Sequence, residues 1–215
     1  MATHGLRSAR TFRRPAPAKA QYEVALIVCE GEKTEPEYLK GLRKSLDLNP
    51  ANVKIVGADG NDPVSIVREA IQRYRSNAGE FDRVFCVFDR DGHANYQQAL
   101  DLVANSPLGK NRILTAITSV PCFEVWILLH YAYSSAPVAA SGGKSACEKV
   151  VAAIRRHLPE YAKAFDDVFE KLAPILDAAI THADRLAVHN RDTASDNPAT
   201  RVHELVKYLQ SLKRD

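Results

Sequence analysis

Two apolar, largely β-branched runs each stop abruptly at acidic residues and a glycine. Val24-Ala25-Leu26-Ile27-Val28-Cys29 runs into Glu30-Gly31, and Val84-Phe85-Cys86-Val87-Phe88 runs into Asp89-Arg90-Asp91-Gly92. A run that is apolar at every position, without alternation, suits a strand buried on both faces of a parallel sheet. Ligands in open α/β sheets bind beyond the carboxyl ends of the strands, where Glu30, Asp89 and Asp91 all fall. The two segments together therefore predict a carboxylate cluster at one sheet edge.

The rest of the chain supplies the elements such a sheet needs. Strands are expected at about Val24 to Cys29, Val53 to Val56, Arg83 to Phe88 and Ile113 to Ser119. Helical patterns separate them. One starts near Thr34, where Thr34 and Glu37 have capping-box spacing, and one is capped by Asp62 and opened by Pro63; Tyr96 to Val103 gives a third, and Phe123 to Tyr131 follows the break at Pro121. Alternation of this kind implies parallel crossovers. Beyond the small-residue stretch Ser134 to Gly143 the pattern becomes helical only: Lys144 to His157, Tyr161 to His189 with a break or kink at Pro174, and Ala199 to Lys213. The expected fold is α/β, a mainly parallel four-stranded sheet flanked by helices with an all-helical C-terminal extension.

Composition narrows the class. With 215 residues, 46% hydrophobic and 26% charged, the chain is long enough for one sizeable core and too short to require two. No apolar stretch approaches the roughly 20 residues of a membrane span, and no secretory h-region is present, so a cytoplasmic protein is expected. The four cysteines, Cys29, Cys86, Cys122 and Cys147, have no close paired spacing, which supports neither a zinc knuckle nor a disulfide framework.

Net charge is +3, but residues 1–20 hold Arg7, Arg10, Arg13, Arg14 and Lys19 and no acid. Without these five, 24 of the 29 basic residues face 26 acidic ones, so the expected domain, residues 21–215, carries −2. The proline-broken tail, residues 1–20, is expected to be disordered. It reads as a solvated leader, with a weak electrostatic arm for a polyanion or an organellar transit peptide as alternatives.

Asp89 and Asp91 stand two apart, so in extended geometry their side chains share a direction and can share a hard cation. Clustered carboxylates repel unless a proton or a metal neutralises them, and an all-oxygen set with room for water suits Mg²⁺. Taken alone, Asp89 to Gly92 also reads as a polar turn, and Gly31 either as a place where a phosphate or metal approaches the backbone or as a turn needing positive φ. Glu124 opens an apolar helix after a strand, either as a further ligand or as a favourable N-terminal helix charge. Phe123, Trp126, Ile127 and His130 follow helical spacing, which makes Trp126 core and His130 a core-edge histidine. Lys33 and Arg90, among the acids, are candidate phosphate contacts or solvated ion-pair partners. His93 is a proton carrier or an exposed bystander. Ser141-Gly142-Gly143-Lys144-Ser145 lacks Walker spacing and a preceding strand, so no ATP site is read there.

The series Glu30-Gly31-Glu32-Lys33-Thr34-Glu35, followed by Asp89-Arg90-Asp91 after a later strand, resembles the Toprim pattern of primases, topoisomerases and OLD-type nucleases. Ser119-Val120-Pro121-Cys122-Phe123-Glu124-Val125-Trp126-Ile127-Leu128-Leu129-His130 and Asn197-Pro198-Ala199-Thr200-Arg201-Val202-His203-Glu204-Leu205-Val206 resemble the central and terminal motifs of RloB-like proteins. Those occur beside restriction or phage-defence loci, often next to an ATPase. The resemblance implies a nuclease dependent on Mg²⁺ or Mn²⁺, with Glu30 as acid/base or metal ligand, Asp89 and Asp91 as catalytic metal ligands, Glu124 and Glu35 as further ligands, a nucleic acid substrate and a partner ATPase. Many Toprim proteins place the second acid where this chain has Thr34, one residue before Glu35. Two other readings compete. One is a haloacid-dehalogenase-like phosphohydrolase with Asp89 as nucleophile and Asp91 as acid/base, although that motif normally ends the first strand. The other is a metal-stabilised module that binds an ATPase or nucleic acid without cutting, and the near-neutral body and 7% aromatic content weigh against high autonomous nucleic-acid affinity.

Overall fold

A computed structural model describes residues 23–31, 33–60, 62–77, 80–90, 92–163 and 167–213. The expected tail and Asp91 lie outside these residues.

Five strands form one sheet: β1 (Ala25–Cys29), β2 (Val53–Gly57), β3 (Arg83–Asp89), β4 (Leu114–Val120) and β5 (Ala199–Thr200). Their order is β2-β1-β3-β4-β5, with the first four parallel and β5 antiparallel to β4. From β1 the chain steps outward to β2 and then returns across β1 to β3. The gap between the ends of β1 and β3 is thus the point where strand order reverses, the place such sheets use for ligands.

The helices are α1 (Thr34–Ser45), α2 (Pro63–Ser76), α3 (Tyr96–Asn105), α4 (Pro107–Lys110), α5 (Glu124–Leu129), α6 (Ala146–Ile154), α7 (Val168–Leu172), α8 (Leu176–Thr193) and α9 (Val202–Ser211). Period-2 alternation along β1 splits the core in two. Ala25, Ile27 and Cys29 pack with α1 and the C-terminal helices through residues such as Tyr38, Trp126, Phe169 and Val206. Leu26 and Val28 pack on the other face with Ile66, Val67 and Ala70 of α2 and Ala99 of α3. Burial on both faces explains why β1 is apolar at every position. The fold is a Rossmann-like α/β sheet.

Three local expectations are corrected. The sheet has five strands because Ala199 and Thr200 pair with Val120 and Ser119 before α9 begins, where sequence periodicity reads helix from Ala199 onward. The long helix expected from Tyr161 is α7, a 3-10 turn at Ala173–Ile175 around Pro174, and α8; Tyr161 itself is buried in the preceding loop. The capping box at Thr34 and Glu37 does not form. Glu37 N–H bonds to Lys33 O at 2.8 Å, so the helix starts one residue earlier, and the Glu37 side chain pairs with Lys40 at 2.8 Å.

Asp62 caps α2 as expected, accepting from the N–H groups of Val64 (3.1 Å) and Ser65 (3.2 Å), and it also accepts from Asn95 Nδ2 at 2.5 Å in the loop before α3. Loss of a cap costs about 1–2 kcal/mol. Asp62→Ala should therefore lower the melting temperature by roughly 2–8 °C. An unchanged thermal melt would show that the cap contributes nothing to the fold.

Candidate functional site

The site begins where β1 ends. Glu30 N–H still joins the ladder, bonding to Val87 O at 2.9 Å, which fixes the side chain at the β1–β3 junction. Its Oε2 accepts the Asp89 N–H at 2.8 Å, so the terminal carboxylate of β1 clasps the last residue of β3. Its Oε1 lies 2.8 Å from His93 Nε2. Asp89 in turn accepts the Phe123 N–H through Oδ2 at 2.9 Å. Phe123 sits at the corner where β4 passes into α5, so the aspartate ties β3 to that corner. Although Asp89 as a residue is partly exposed, its carboxyl group is enclosed by these elements.

Glu35, in the first turn of α1, is buried, and its carboxyl lies directly against Gly31. A Cβ built on Gly31 would overlap Glu35 Oε2 and sit 2.8 Å from its Cδ. Gly31 is not among the glycines with positive φ, which are Gly142 and Gly143. Close approach, not an unusual backbone angle, accounts for the glycine. Glu124, the first residue of α5, is buried at 3% exposure, with Oε1 4.0 Å from Lys163 Nζ and Oε2 3.3 Å from Cys147 Sγ.

Glu30, Glu35, Asp89 and Glu124 lie within electrostatic reach of one another. Burial, together with the charges of Glu124 and Glu30, pushes the Glu35 carboxyl up to about 7. Burial and then Glu35 raise Asp89 well above the usual carboxylate range, against the Phe123 N–H; Glu124 and Glu30 add to the rise. The buried Tyr161 hydroxyl is raised by burial and then by Glu124 and Glu35, which places it beside the same cluster. Glu35 and Asp89 are thus raised by burial and by the acids around them, with Lys163 acting in the opposite direction on Glu35. Carboxylate oxygens gathered at a glycine cradle fit a hard divalent cation.

The basic candidates are placed differently. Arg90 Nη1 is paired with Asp196 at 2.5 Å, and Lys33 is exposed at the start of α1. Asp91 lies outside the described residues. His93, which the sequence leaves open as a turn bystander, meets Glu30 directly. His130 is buried and bonded to Tyr38 Oη (3.2 Å) and Trp126 O (3.0 Å), and Trp126 is fully buried core.

Sequence reasoning missed three features. Lys163 and Tyr161 reach the cluster from the loop after α6, with no motif to mark them. Cys122 and Cys147 form a disulfide, which corrects the expectation that the cysteines have no such role. They are 25 residues apart, so no short spacing shows the pair; it arises because α6 folds back on the β4–α5 corner. Cys29 and Cys86 are free and buried, as their strand positions imply.

The glycine cradle gives a direct test. Gly31→Ala should displace the flexible Glu35 side chain and, on the expectation that the cluster holds Mg²⁺, weaken that binding about tenfold, a loss typical for a disturbed ligand shell. The melt in chelator should change little. Mg²⁺ affinity equal to that of the unsubstituted chain would remove Glu35 from the expected ligands.

The terminal motif has a structural part in the site. Asn197 pairs with the backbone of Val138 (Nδ2 to O, 2.9 Å), Thr200 meets Ser119 through their hydroxyls at 3.2 Å, and Arg201 reaches Ala116 O at 2.8 Å. The last two bonds hold the outer edge of β4, whose C-terminal end leads into the corner that binds Asp89. Among the described residues no helix is long and apolar enough to cross a membrane. The chain matches no curated protein and no solved structure. The family model described as RloB-like protein matches residues 25–209, from the first residue of β1 into α9 and through both extended motifs. On that match, the chain belongs to the RloB-like family.

Proposed function

We propose that this protein is a divalent-metal-dependent nuclease of Toprim type that hydrolyses phosphodiester bonds in DNA or RNA and acts in anti-phage defence. The observation that carries the reading is the convergence of Glu30, Glu35, Asp89 and Glu124 at the strand-order reversal, with the proton affinities of Glu35 and Asp89 driven upward. Asp89, Glu35 and Glu124 would hold Mg²⁺ or Mn²⁺, joined by Asp91 from its place two residues after Asp89. The cation supplies charge neutralisation at the phosphate and a more acidic bound water.

The chain's own residues divide the remaining work. Glu30 Oε1, 2.8 Å from His93 Nε2, is positioned to take a proton and share it with the imidazole. The Asp89 and Phe123 N–H groups hold the Glu30 and Asp89 carboxylates in fixed orientation. Arg90 reaches a phosphate only by leaving Asp196, while exposed Lys33 needs no such exchange. A body with a net charge of −2 has weak affinity for a polyanion, which suits delivery of the nucleic acid by a partner ATPase.

Incubating the protein with labelled DNA and RNA panels, with Mg²⁺, Mn²⁺ or chelator, and with and without an ATPase encoded beside it, tests the reading. Cleavage that needs the metal supports it. Inactivity on every substrate, together with no metal-dependent shift in melting, would defeat it in favour of a binding module.

A further inference from the structure

The Cys122–Cys147 pair lies against Glu124, and the two sulfurs and a Glu124 carboxylate oxygen all fall within 4.8 Å of one another. All three residues are buried, at 1%, 3% and 3% exposure. We propose that, with both cysteines reduced, Cys122, Cys147 and Glu124 form a binding site for a thiophilic divalent cation, Zn²⁺ in the first instance, and that the disulfide is its metal-free form.

Geometry supports the ligand set. A tetrahedral zinc with ordinary Zn–S and Zn–O bonds separates a sulfur from an oxygen ligand by roughly 3.5 Å and two sulfurs by roughly 3.8 Å. The Cys147 Sγ to Glu124 Oε2 separation is already 3.3 Å. The Cys122 and Cys147 Cα atoms are 5.8 Å apart, so breaking the bond and turning the two side chains suffices to open the sulfur pair. The ligands come from two elements packed together, the β4–α5 corner and the first turn of α6, which fixes their mutual position.

Chemistry supports it as well. While the sulfurs are joined, neither carries a proton to share with Glu124, so the close sulfur–oxygen contact has no attraction of its own. A thiol donor or a bridging cation supplies one. Two thiolates and a carboxylate around Zn²⁺ leave one negative charge, and Lys163, 4.0 Å from the other Glu124 oxygen, balances it. A surface cavity of about 450 Å³ bordered by Lys144, Cys147, Arg155 and Lys163 gives a cation and a water ligand a route to the sulfur. Soft thiolates select zinc where the neighbouring oxygen cluster selects magnesium, so Glu124 stands between two sites of opposite preference.

Release follows from oxidation. Hydrogen peroxide takes one electron from each thiolate and two protons from solvent; the O–O bond breaks, the S–S bond forms, and two waters and the free cation leave. Co²⁺ is the probe, because thiolate ligation gives a charge-transfer band in the near ultraviolet. The reduced full-length chain, titrated with Co²⁺ without oxygen, should show that band, lose it to added Zn²⁺, and lose it with release of the metal after peroxide. Cys147→Ser should abolish the band, with Cys122→Ser as the second variant should the first fail to fold. Asp89→Asn should keep it. No band in the folded, reduced wild type, or a band that survives Cys147→Ser or peroxide, would overturn the site. Because Asp89→Asn separates the two centres, failure of the nuclease reading leaves this result intact, and the reverse also holds.

Discussion

Asp89→Asn is expected to fold and to lose metal-dependent cleavage by at least about 100-fold, the upper range for damage to a metal's surroundings. The amide keeps an oxygen where Asp89 Oδ2 accepts the Phe123 N–H, so the tie between β3 and the β4–α5 corner survives. What disappears is the negative charge. Without metal that charge is a liability, because burial and the neighbouring Glu35 already drive the group toward its protonated form. The variant should therefore melt in chelator at or above the wild-type temperature, and Mg²⁺ should no longer raise it. Full cleavage by the variant would end the metal-site reading, and a large drop in its chelator melt would show that the carboxylate is needed for the fold instead.

The second large effect is in the pH dependence of stability. Glu35 has an ordinary carboxyl value of 4.5 when unfolded and about 7 in the folded chain. A group that holds its proton more tightly when folded stabilises the fold below its unfolded value, and that contribution is lost as pH rises through its folded value. In chelator, then, wild type should lose on the order of 3 kcal/mol relative to Glu35→Gln between about pH 4 and about pH 8, at about 1.4 kcal/mol for each tenfold change in proton affinity. Asp89 shifts in the same direction and Glu35 contributes to its rise, so the difference reports Glu35 together with its coupling to Asp89. Mg²⁺ competes with the protons, so its stabilisation of wild type should grow over the same interval. A flat difference between the two proteins in chelator would show that neither burial nor the neighbouring acids raise Glu35 in the folded chain.

Much of this was readable from the chain because burial on two faces leaves a continuous apolar signature. β1 and β3 carry it, and the acids that interrupt it mark the sheet edge without any reference to contacts. Asp62 with Pro63 was readable for a similar reason, since a cap acts within three residues of itself. Apart from the capping box at Thr34, which gives way to Lys33 as the cap and to a Glu37–Lys40 pair, the misreadings involve partners distant in sequence. Ala199 and Thr200 suit a helix until Ser119 and Val120 offer them a strand edge. Lys163, Tyr161 and the Cys122–Cys147 bond depend on where α6 and its following loop fold back, which periodicity does not encode. His93 looked like any turn histidine because its significance lies in Glu30, on a strand two crossings away in the chain.

The narrow seal on β4 bears on how the molecule is assembled. Among the described residues only Ser119 and Val120 of that strand have a strand neighbour on the outer side; lower down, the Arg201 N–H bonds to Thr118 O at 2.9 Å and the Arg201 guanidinium to Ala116 O at 2.8 Å. A single arginine thus stands in for the strand that is not there, and it lies 85 residues downstream of the carbonyl it covers. Contacts across such separations form late, because loop closure must precede them. On a growing chain the four parallel strands exist as a sequence long before Arg201 leaves the ribosome, and in that interval the border of β4 is an open template for any extended segment nearby. The terminal motif is accordingly a closing device for folding as much as a part of the finished site.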